Sequence, residues 1–357
     1  MPEQHTERLH TAGSLNRGQY DAMCIRAALA SRRLPTTSLP GQVVFTSEQS
    51  GQPLAFNQLS SYGATYGGFG LVKTSRRAWQ VLRRSGVPVP QSQTFAPDAQ
   101  AAAAAYAQRI GLPAVVSSLT GTYRRTAHDA DSLSKAFGEV AERVKGQVLV
   151  HSTVPGELIR LMVQGQQVLA VRAQGHRGAL HPEDLDPALL QLAVAAVEAI
   201  PGLDLAAVTI SVPTSDPRLK NSDVDRQPLV ERVMRSPHLR DFAAGSRREA
   251  LRLADQLVQN AARELDISLA ESSARISADL VFTGVPDPDS FVAELAAMVN
   301  ALGRVTVVRE PQSVADGAEL SMRGPASDVA LVTTQSIAGF ANGDSAHLVH
   351  CRPASGD

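Results

Sequence analysis

The run Val148-Leu-Val-His-Ser-Thr-Val-Pro-Gly-Glu-Leu-Ile-Arg-Leu-Met-Val-Gln-Gly-Gln-Gln-Val-Leu-Ala-Val-Arg172 decides how the chain is read. Val148 to Val150 is a short apolar segment of the kind that forms a buried strand, and Pro155-Gly156 breaks it. Leu158, Ile159, Leu161, Met162 and Val163 make a second apolar run, Gly165-Gln166 turns the chain, and Val168 to Val171 make a third. The pattern predicts an antiparallel hairpin carrying Arg160 within one strand and Arg172 at the end of the next. Both lie about equally far from the turn, so they are expected nearly opposite one another and on one face. Two guanidiniums so placed can converge on a phosphate or carboxylate by forked hydrogen bonds. The alternatives are arginines solvated along a sheet edge, or a salt-bridge cluster with an internal carboxylate, for which Glu157 is the nearest candidate.

Composition narrows the function classes. At 357 residues, 43% of them hydrophobic, the chain has the length and apolar content for two or three compact units with real cores. Lys and Arg number 34 against 35 Asp and Glu, so no global field attracts nucleic acid or an anionic membrane, and any anion site must be local. Lysine occurs only at Lys73, Lys135, Lys145 and Lys220. Cys24 and Cys351 stand at opposite ends without metal-ligand spacing or a disulfide framework. No apolar run approaches the roughly 20 residues that span a bilayer, and Met1-Pro-Glu-Gln-His-Thr-Glu-Arg8 lacks the basic and apolar regions of a signal peptide. A cytoplasmic protein in a reducing compartment is expected, with no nucleic-acid or membrane partner. Neither a nucleophile elbow nor a zinc spacing occurs, which disfavours the common hydrolases.

Working outward, Thr74 to Arg84 reads as a helix with Trp79, Val81 and Leu82 on its apolar side, followed by Ser85-Gly-Val-Pro-Val-Pro90. Asp98 to Arg109 is an alanine-rich helix running into Ile110-Gly-Leu-Pro-Ala-Val-Val116. Ser132 to Lys145 is amphipathic, with Leu133, Phe137 and Val140 inward and Gly146 as its stop. The order and spacing of these segments, ending in the arginine hairpin, resemble the ATP-grasp family, in pattern the carboxylate–amine ligases of the cyanophycin synthetase and glutathione synthetase kind. The resemblance covers roughly residues 70 to 265 and rests on several short motifs together. It implies an α/β (α+β) chain with a two-lobed ATP-grasp region. The activity it implies is phosphorylation of a carboxylate by ATP, with an amine attacking the acyl phosphate.

The same resemblance implies a site, and shows where this chain departs from it. Lys73 matches a lysine early in the grasp region, preceded here by Val72 where the family has an aspartate; helix-start packing is its expected role. Ser117 and Ser118 stand where the family has a phosphate-neutralising lysine and a proline, and a hydroxyl supplies no charge. Leu119-Thr-Gly-Thr-Tyr-Arg-Arg-Thr126 occupies the place of the glycine-rich phosphate loop with Gly121 its one glycine; Arg124 and Arg125 could pair with phosphate directly, or the stretch is a solvated hairpin tip. His151 stands at the acidic hinge position beside the adenine and ribose. Pro201-Gly-Leu-Asp-Leu-Ala-Ala-Val-Thr209 resembles the segment leading to a metal-binding aspartate, replaced here by Thr209. In Leu229 to Leu239, one register makes Glu231 the remaining metal carboxylate, while anchoring on Ser236-Pro237 puts Arg232 and Met234 at the glutamate and asparagine positions. Arg160 and Arg172 are the candidate catalytic arginines. Magnesium needs hard oxygen ligands, so these losses predict weak or absent Mg-ATP binding. Two functions stay open: a degenerate ATP-grasp protein that binds a ligand or serves as a partner subunit, and an active amide- or peptide-forming ligase. The cofactors are ATP and Mg²⁺ in the active case, or none. The partners are a small carboxylate or amine substrate or an enzyme partner, with a homo-oligomer allowed.

The flanks complete the expected division into residues 1–70, 71–270 and 271–357. The first is an α/β segment with a helix at Gln19 to Arg33 and a strand at Gln42 to Thr46. Tyr62-Gly-Ala-Thr-Tyr-Gly-Gly-Phe-Gly70 reads as a ligand-covering loop or a linker. Residues 276–351 alternate strand, helix, strand, strand, helix, strand, a ferredoxin-like βαββαβ unit. Its rhythm resembles the acylphosphatase group, although Val285-Pro-Asp-Pro-Asp289 carries no arginine, and an accessory or dimerisation domain is expected.

Overall fold

Helix α1 (Arg17–Ser31) begins at a capping box, in which the Asn16 side chain accepts the Gln19 N–H at 2.9 Å and Gln19 Oε1 accepts the Asn16 N–H at 2.8 Å. Every residue from Tyr20 to Ser31 is buried, so its polar members Asp21 and Arg26 must find partners inside. Three short antiparallel strands follow, β1 (Thr36–Leu39), β2 (Val43–Thr46) and β3 (Ala55–Asn57). The computed structural model describes residues 15–46, 53–61, 63–153, 156–173, 180–213 and 227–353. Tyr62, Pro155, His176, Arg177 and the connection Pro217 to Arg226 lie outside these.

Residues 63–237 form one unit. Its elements are α2 (Tyr66–Leu71), α3 (Ser75–Arg84), β4 (Ser92–Phe95), α4 (Gln100–Ile110), β5 (Ala114–Ser118), β6 (Arg124–Ala127), α5 (Ala130–Ala141), β7 (Val148–Ser152), β8 (Glu157–Gln164), β9 (Gln167–Ala173), α6 (Pro187–Glu198), β10 (Leu205–Val212) and β11 (Leu229–Met234). The strands make two four-stranded antiparallel sheets, β4-β7-β5-β6 and β11-β10-β8-β9. In the first, Phe95, Val116, Val148 and Val150 share a core with Tyr106 of α4 and Phe137 of α5. In the second, Ile159, Leu161, Val208 and Ile210 pack with Leu189 and Val197 of α6. Each sheet thus buries one face under helices and leaves the alternate residues on the other, as strand geometry requires.

Gly68 of the Tyr62–Gly70 stretch has a packing cause. The segment is mostly helix α2, capped by Thr65, whose Oγ1 accepts the Gly68 N–H at 3.1 Å and whose N–H donates to Gly202 O at 2.8 Å. A Cβ on Gly68 would fall inside the Gly202 carbonyl group, so this helix can approach the turn after α6 only as glycine. The expected covering loop or linker is therefore a docked helix.

The remaining elements are α7 (Leu239–Phe242), α8 (Arg247–Glu264), β12 (Arg275–Thr283), α9 (Pro288–Leu302), β13 (Thr306–Val314), β14 (Gly317–Pro325), α10 (Ala326–Ala338) and β15 (Leu348–Pro353). From β12 to β15 they follow the expected βαββαβ order, with strands arranged β13-β14-β12-β15. The expected domain limits at 70 and 270 differ from the structure. β15 pairs with β12 on one side and with β1 on the other, so the N-terminal strands extend this sheet to seven, ending β15-β1-β2-β3. The segments before residue 63 and after residue 237 are accordingly one unit. An open edge of N–H and C=O groups along β15 is satisfied by β1, and α1 packs against both α8 and α10. Phe282, Phe291, Leu295, Leu320 and Val329 form its core.

Candidate functional site

The face of the β11-β10-β8-β9 sheet turned away from α6 carries a row of arginines. Arg160 on β8 registers with Arg172 on β9, as the hairpin reading expects, and with Thr209 on β10. Thr209 registers in turn with Arg232 on β11. Residues directly opposite share a face, so Arg172, Arg160, Thr209 and Arg232 form one rung across four strands.

An irregularity in β11 enriches this face further. Thr209 pairs with Arg232 but the next residue, Ile210, pairs with Val230, leaving Glu231 as the extra residue of a bulge. Val230 and Val233 keep to the core beneath, while Glu231 and Arg232 both reach the β5–β6 hairpin of the other sheet. Glu231 and Arg232, the two residues that the sequence left as alternatives, thus lie on the same side. The bulge re-aims a side chain that strict alternation would have buried.

Glu231 is enclosed, its side chain 1% exposed. Oε2 accepts from Arg124 Nη2 at 2.8 Å and Oε1 from Thr153 Oγ1 at 2.8 Å. Arg232 Nη2 donates to Thr120 O at 3.1 Å, and its guanidinium carbon lies 3.7 Å from where a Cβ on Gly121 would stand. Gly121 has a φ of +72° in the hairpin turn, where its N–H donates to Ser118 O at 2.9 Å. Burial lowers the Arg232 pKa, and repulsion by the Arg160 and Arg124 guanidiniums lowers it further, so the three charges share one neighbourhood.

The other expected residues distribute by strand alternation. Ser117 is buried on β5 in register with Arg124, on the face toward the arginine row. His151 shares that face through its register with Val115 and packs edge-on against Trp79 with ring centres 5.0 Å apart. Its Nδ1–H donates to Ser152 O at 2.8 Å, which leaves Nε2 unprotonated in the neutral ring. Burial pulls its pKa down to about 4, opposed by Glu231, so the ring is neutral at pH 7. Arg125 is not brought to the others: the residue after Arg124 points to the opposite face, where its Nε donates to Glu139 of α5 at 2.9 Å. Lys73 is exposed in the turn before Thr74, the N-cap of α3. Sequence reading did not place Thr153 or Thr120 among the site residues, and it reached Arg232 only as the alternative register of the Glu231 segment. Their only sequence signal was polarity, and the bulge that recruits them leaves no motif.

No protein-family model matches the chain, and no curated protein matches it. Among solved structures it is similar to the D-alanine–D-alanine ligase of Bacillus anthracis, at 16% identity over 57% of this chain and 71% of that one, with a TM-score of 0.44. It is also similar to a bifunctional glutathione synthetase of Pasteurella multocida, at 14% identity over 64% and 41%, with a TM-score of 0.46. A third is a RimK domain ATP-grasp protein of Sphaerobacter thermophilus, at 22% identity over 53% and 67%, with a TM-score of 0.39. ATP-grasp ligases thus stand among its structural neighbours, as a divergent likeness of fold. Among the described residues, no helix is long and apolar enough to cross a membrane.

Proposed function

We propose that the chain is a degenerate relative of the ATP-dependent carboxylate–amine ligases, a ligand-binding protein or subunit that holds an anion through guanidiniums. The observation that carries this reading is the in-register row Arg172, Arg160, Thr209, Arg232, facing Arg124 from the second sheet. Guanidiniums crowded together repel one another, and an anion among them converts that repulsion into forked, charge-assisted hydrogen bonds. Glu231, held by Thr153, sets the direction of Arg124.

Among the described residues, the donors at this face do not fit Mg²⁺. The ion needs oxygen ligands that include one or two carboxylates, and the carboxylate at this face, Glu231, is already engaged by Arg124 and Thr153. Thr209 offers a neutral hydroxyl between Arg160 and Arg232, and among the described residues no group of three or more His, Cys, Asp or Glu could hold a metal. A dication would also meet the field of the arginines. No step through the metal follows. The work of this chain's residues is binding: Arg160, Arg172 and Arg232 offer N–H donors, and neutral His151 leaves the positive charge to them.

The alternative reading, an active ligase forming an amide through an acyl phosphate, is favoured by the buried, oriented Glu231 as a last acidic group. Calorimetry with ATP in EDTA, Mg-ATP and tripolyphosphate separates the two. Anion binding without metal, weakened by salt and not improved by Mg²⁺, is expected. Mg-ATP turnover in the presence of a carboxylate and an amine would overturn the proposal.

A further inference from the structure

Arg26 sits in the middle of α1, 4% exposed, in the unit that does not contain the arginine row. Its Nε–H donates to Ser38 Oγ at 2.9 Å, Nη1 to Thr334 Oγ1 at 3.1 Å and Nη2 to Val43 O at 3.3 Å. All three acceptors are neutral, and among the described residues no carboxylate pairs with it. The other buried charge of this helix is treated differently, because Asp21 faces His238 Nδ1 at 2.7 Å and accepts the Leu239 N–H at 2.9 Å. Burial alone pulls the Arg26 pKa down to about 10, which still leaves it charged at neutral pH. A buried cation without a counter-ion is strongly unfavourable unless an anion reaches it.

A cavity of about 200 Å³ gives an anion that access. Arg26 lines it together with Gln19, Gln42, Pro40, Ile337 and Ala338, among others. Five N–H groups on a guanidinium, less the three bonds above, leave two, one on each terminal nitrogen. Two donors on neighbouring nitrogens of one guanidinium suit the two oxygens of a carboxylate. Gln19 Oε1 accepts the Asn16 N–H at 2.8 Å and Gln42 Oε1 accepts from Gln58 Nε2 at 3.3 Å, and the NH₂ group of each amide can still donate. The polar lining therefore offers donors and a positive charge, while Pro40, Ile337 and Ala338 supply apolar wall. The volume is below the roughly 300–1,000 Å³ of drug-sized sites, which limits the ligand to a small molecule.

We propose that this cavity binds a short-chain aliphatic carboxylate, its carboxylate forked on Arg26 and its hydrocarbon against Ile337 and Pro40. An inorganic phosphate would meet the same cation but leave the apolar wall unused. The site is independent of the arginine row in residues 63–237.

The test is thermal-shift and calorimetric titration of the full chain with sodium butyrate, acetate and inorganic phosphate, against sodium chloride at matched ionic strength. Butyrate is expected to give a saturable upward shift in melting temperature, acetate a weaker one and phosphate none. Arg26→Lys, which keeps the charge but loses the fork, should weaken butyrate at least tenfold. Ile337→Phe fills the cavity without touching the charge and should abolish binding in a folded protein, which decides the matter if Arg26→Lys does not fold. The butyrate response should persist in the Arg160→Met/Arg172→Met double variant, separating it from the other site. No saturable response of the wild type to butyrate, tighter binding of phosphate than of butyrate, or unchanged affinity in Ile337→Phe would each overturn the proposal.

Discussion

Arg160 and Arg172 stand directly opposite each other in the β8–β9 register, two like charges on the same rung of an antiparallel pair. Such a pair is destabilising by itself. Each arginine replaced by methionine keeps its apolar stem and loses its charge. Binding of tripolyphosphate should weaken about tenfold or more per arginine, the loss of one hydrogen bond to a charged group. A drop in melting temperature with unchanged anion affinity would assign both residues to structure.

Arg124 and Glu231 join the two sheets of the middle unit at 2.8 Å, with the Glu231 side chain enclosed and the Arg124 side chain 38% exposed. Arg124→Met leaves a buried carboxylate with Thr153 as its remaining partner and should cost about 1–3 kcal/mol. Glu231→Gln should cost less, because the amide oxygen can still accept from Thr153. A double-mutant cycle in urea should give a coupling of about 0.5–3 kcal/mol. Additive effects would mean that the pair is solvated and that Arg124 is not positioned by Glu231.

Gly68 and Gly70 lie in the same helix with opposite surroundings: a Cβ on Gly68 meets the Gly202 backbone, and one on Gly70 meets open space. Gly68→Ala should destabilise by about 1–3 kcal/mol through overpacking. Gly70→Ala should be neutral or stabilising by up to about 1 kcal/mol. Equal effects on melting temperature would contradict the docking of α2 on the Gly202 turn.

Acidification should act through His151, whose pKa is lowered from 6.5 to about 4 by burial. The unfolded chain takes up the proton near the ordinary value and the folded chain only near the lowered one. Between these limits the unfolded state binds more protons, so stability is intact above pH 6.5 and falls as pH drops toward 4. The slope from this group is at most about 1.4 kcal/mol per pH unit. Unfolding curves of the wild type and His151→Gln should diverge in that window, with the variant the flatter; parallel pH profiles would show that the ring is not held neutral.

What could be read along the chain was whatever depends on near neighbours in sequence. The turn at Gly165-Gln166 and the period-two pattern fix the pairing next to it, Gln164 with Gln167 and Val163 with Val168. That register alone would set Arg160 opposite Val171; an irregularity between Met162 and Val163, absorbed at Leu169 of β9, shifts the pairing by one residue and brings Arg172 opposite Arg160. The βαββαβ order after residue 275 and the helices of the middle unit were legible because each buries one face with its own periodicity.

Tertiary structure decided what depends on distant pairing. Nothing local in Thr36 to Leu39 says that it will close the edge of β15, more than three hundred positions later, yet this pairing makes the two ends of the chain one unit. Strict alternation is broken again at β11, where one extra residue between Val230 and Arg232 turns Glu231 and Arg232 to the same side. It separated Arg124 from Arg125 for the opposite reason, because β6 is regular there and adjacent side chains take opposite faces. The sequence by itself determined which residues could carry charge and which hairpin would hold two of them. Strand pairing between distant segments, and the irregularities in β9 and β11, determined which of those charges share a face.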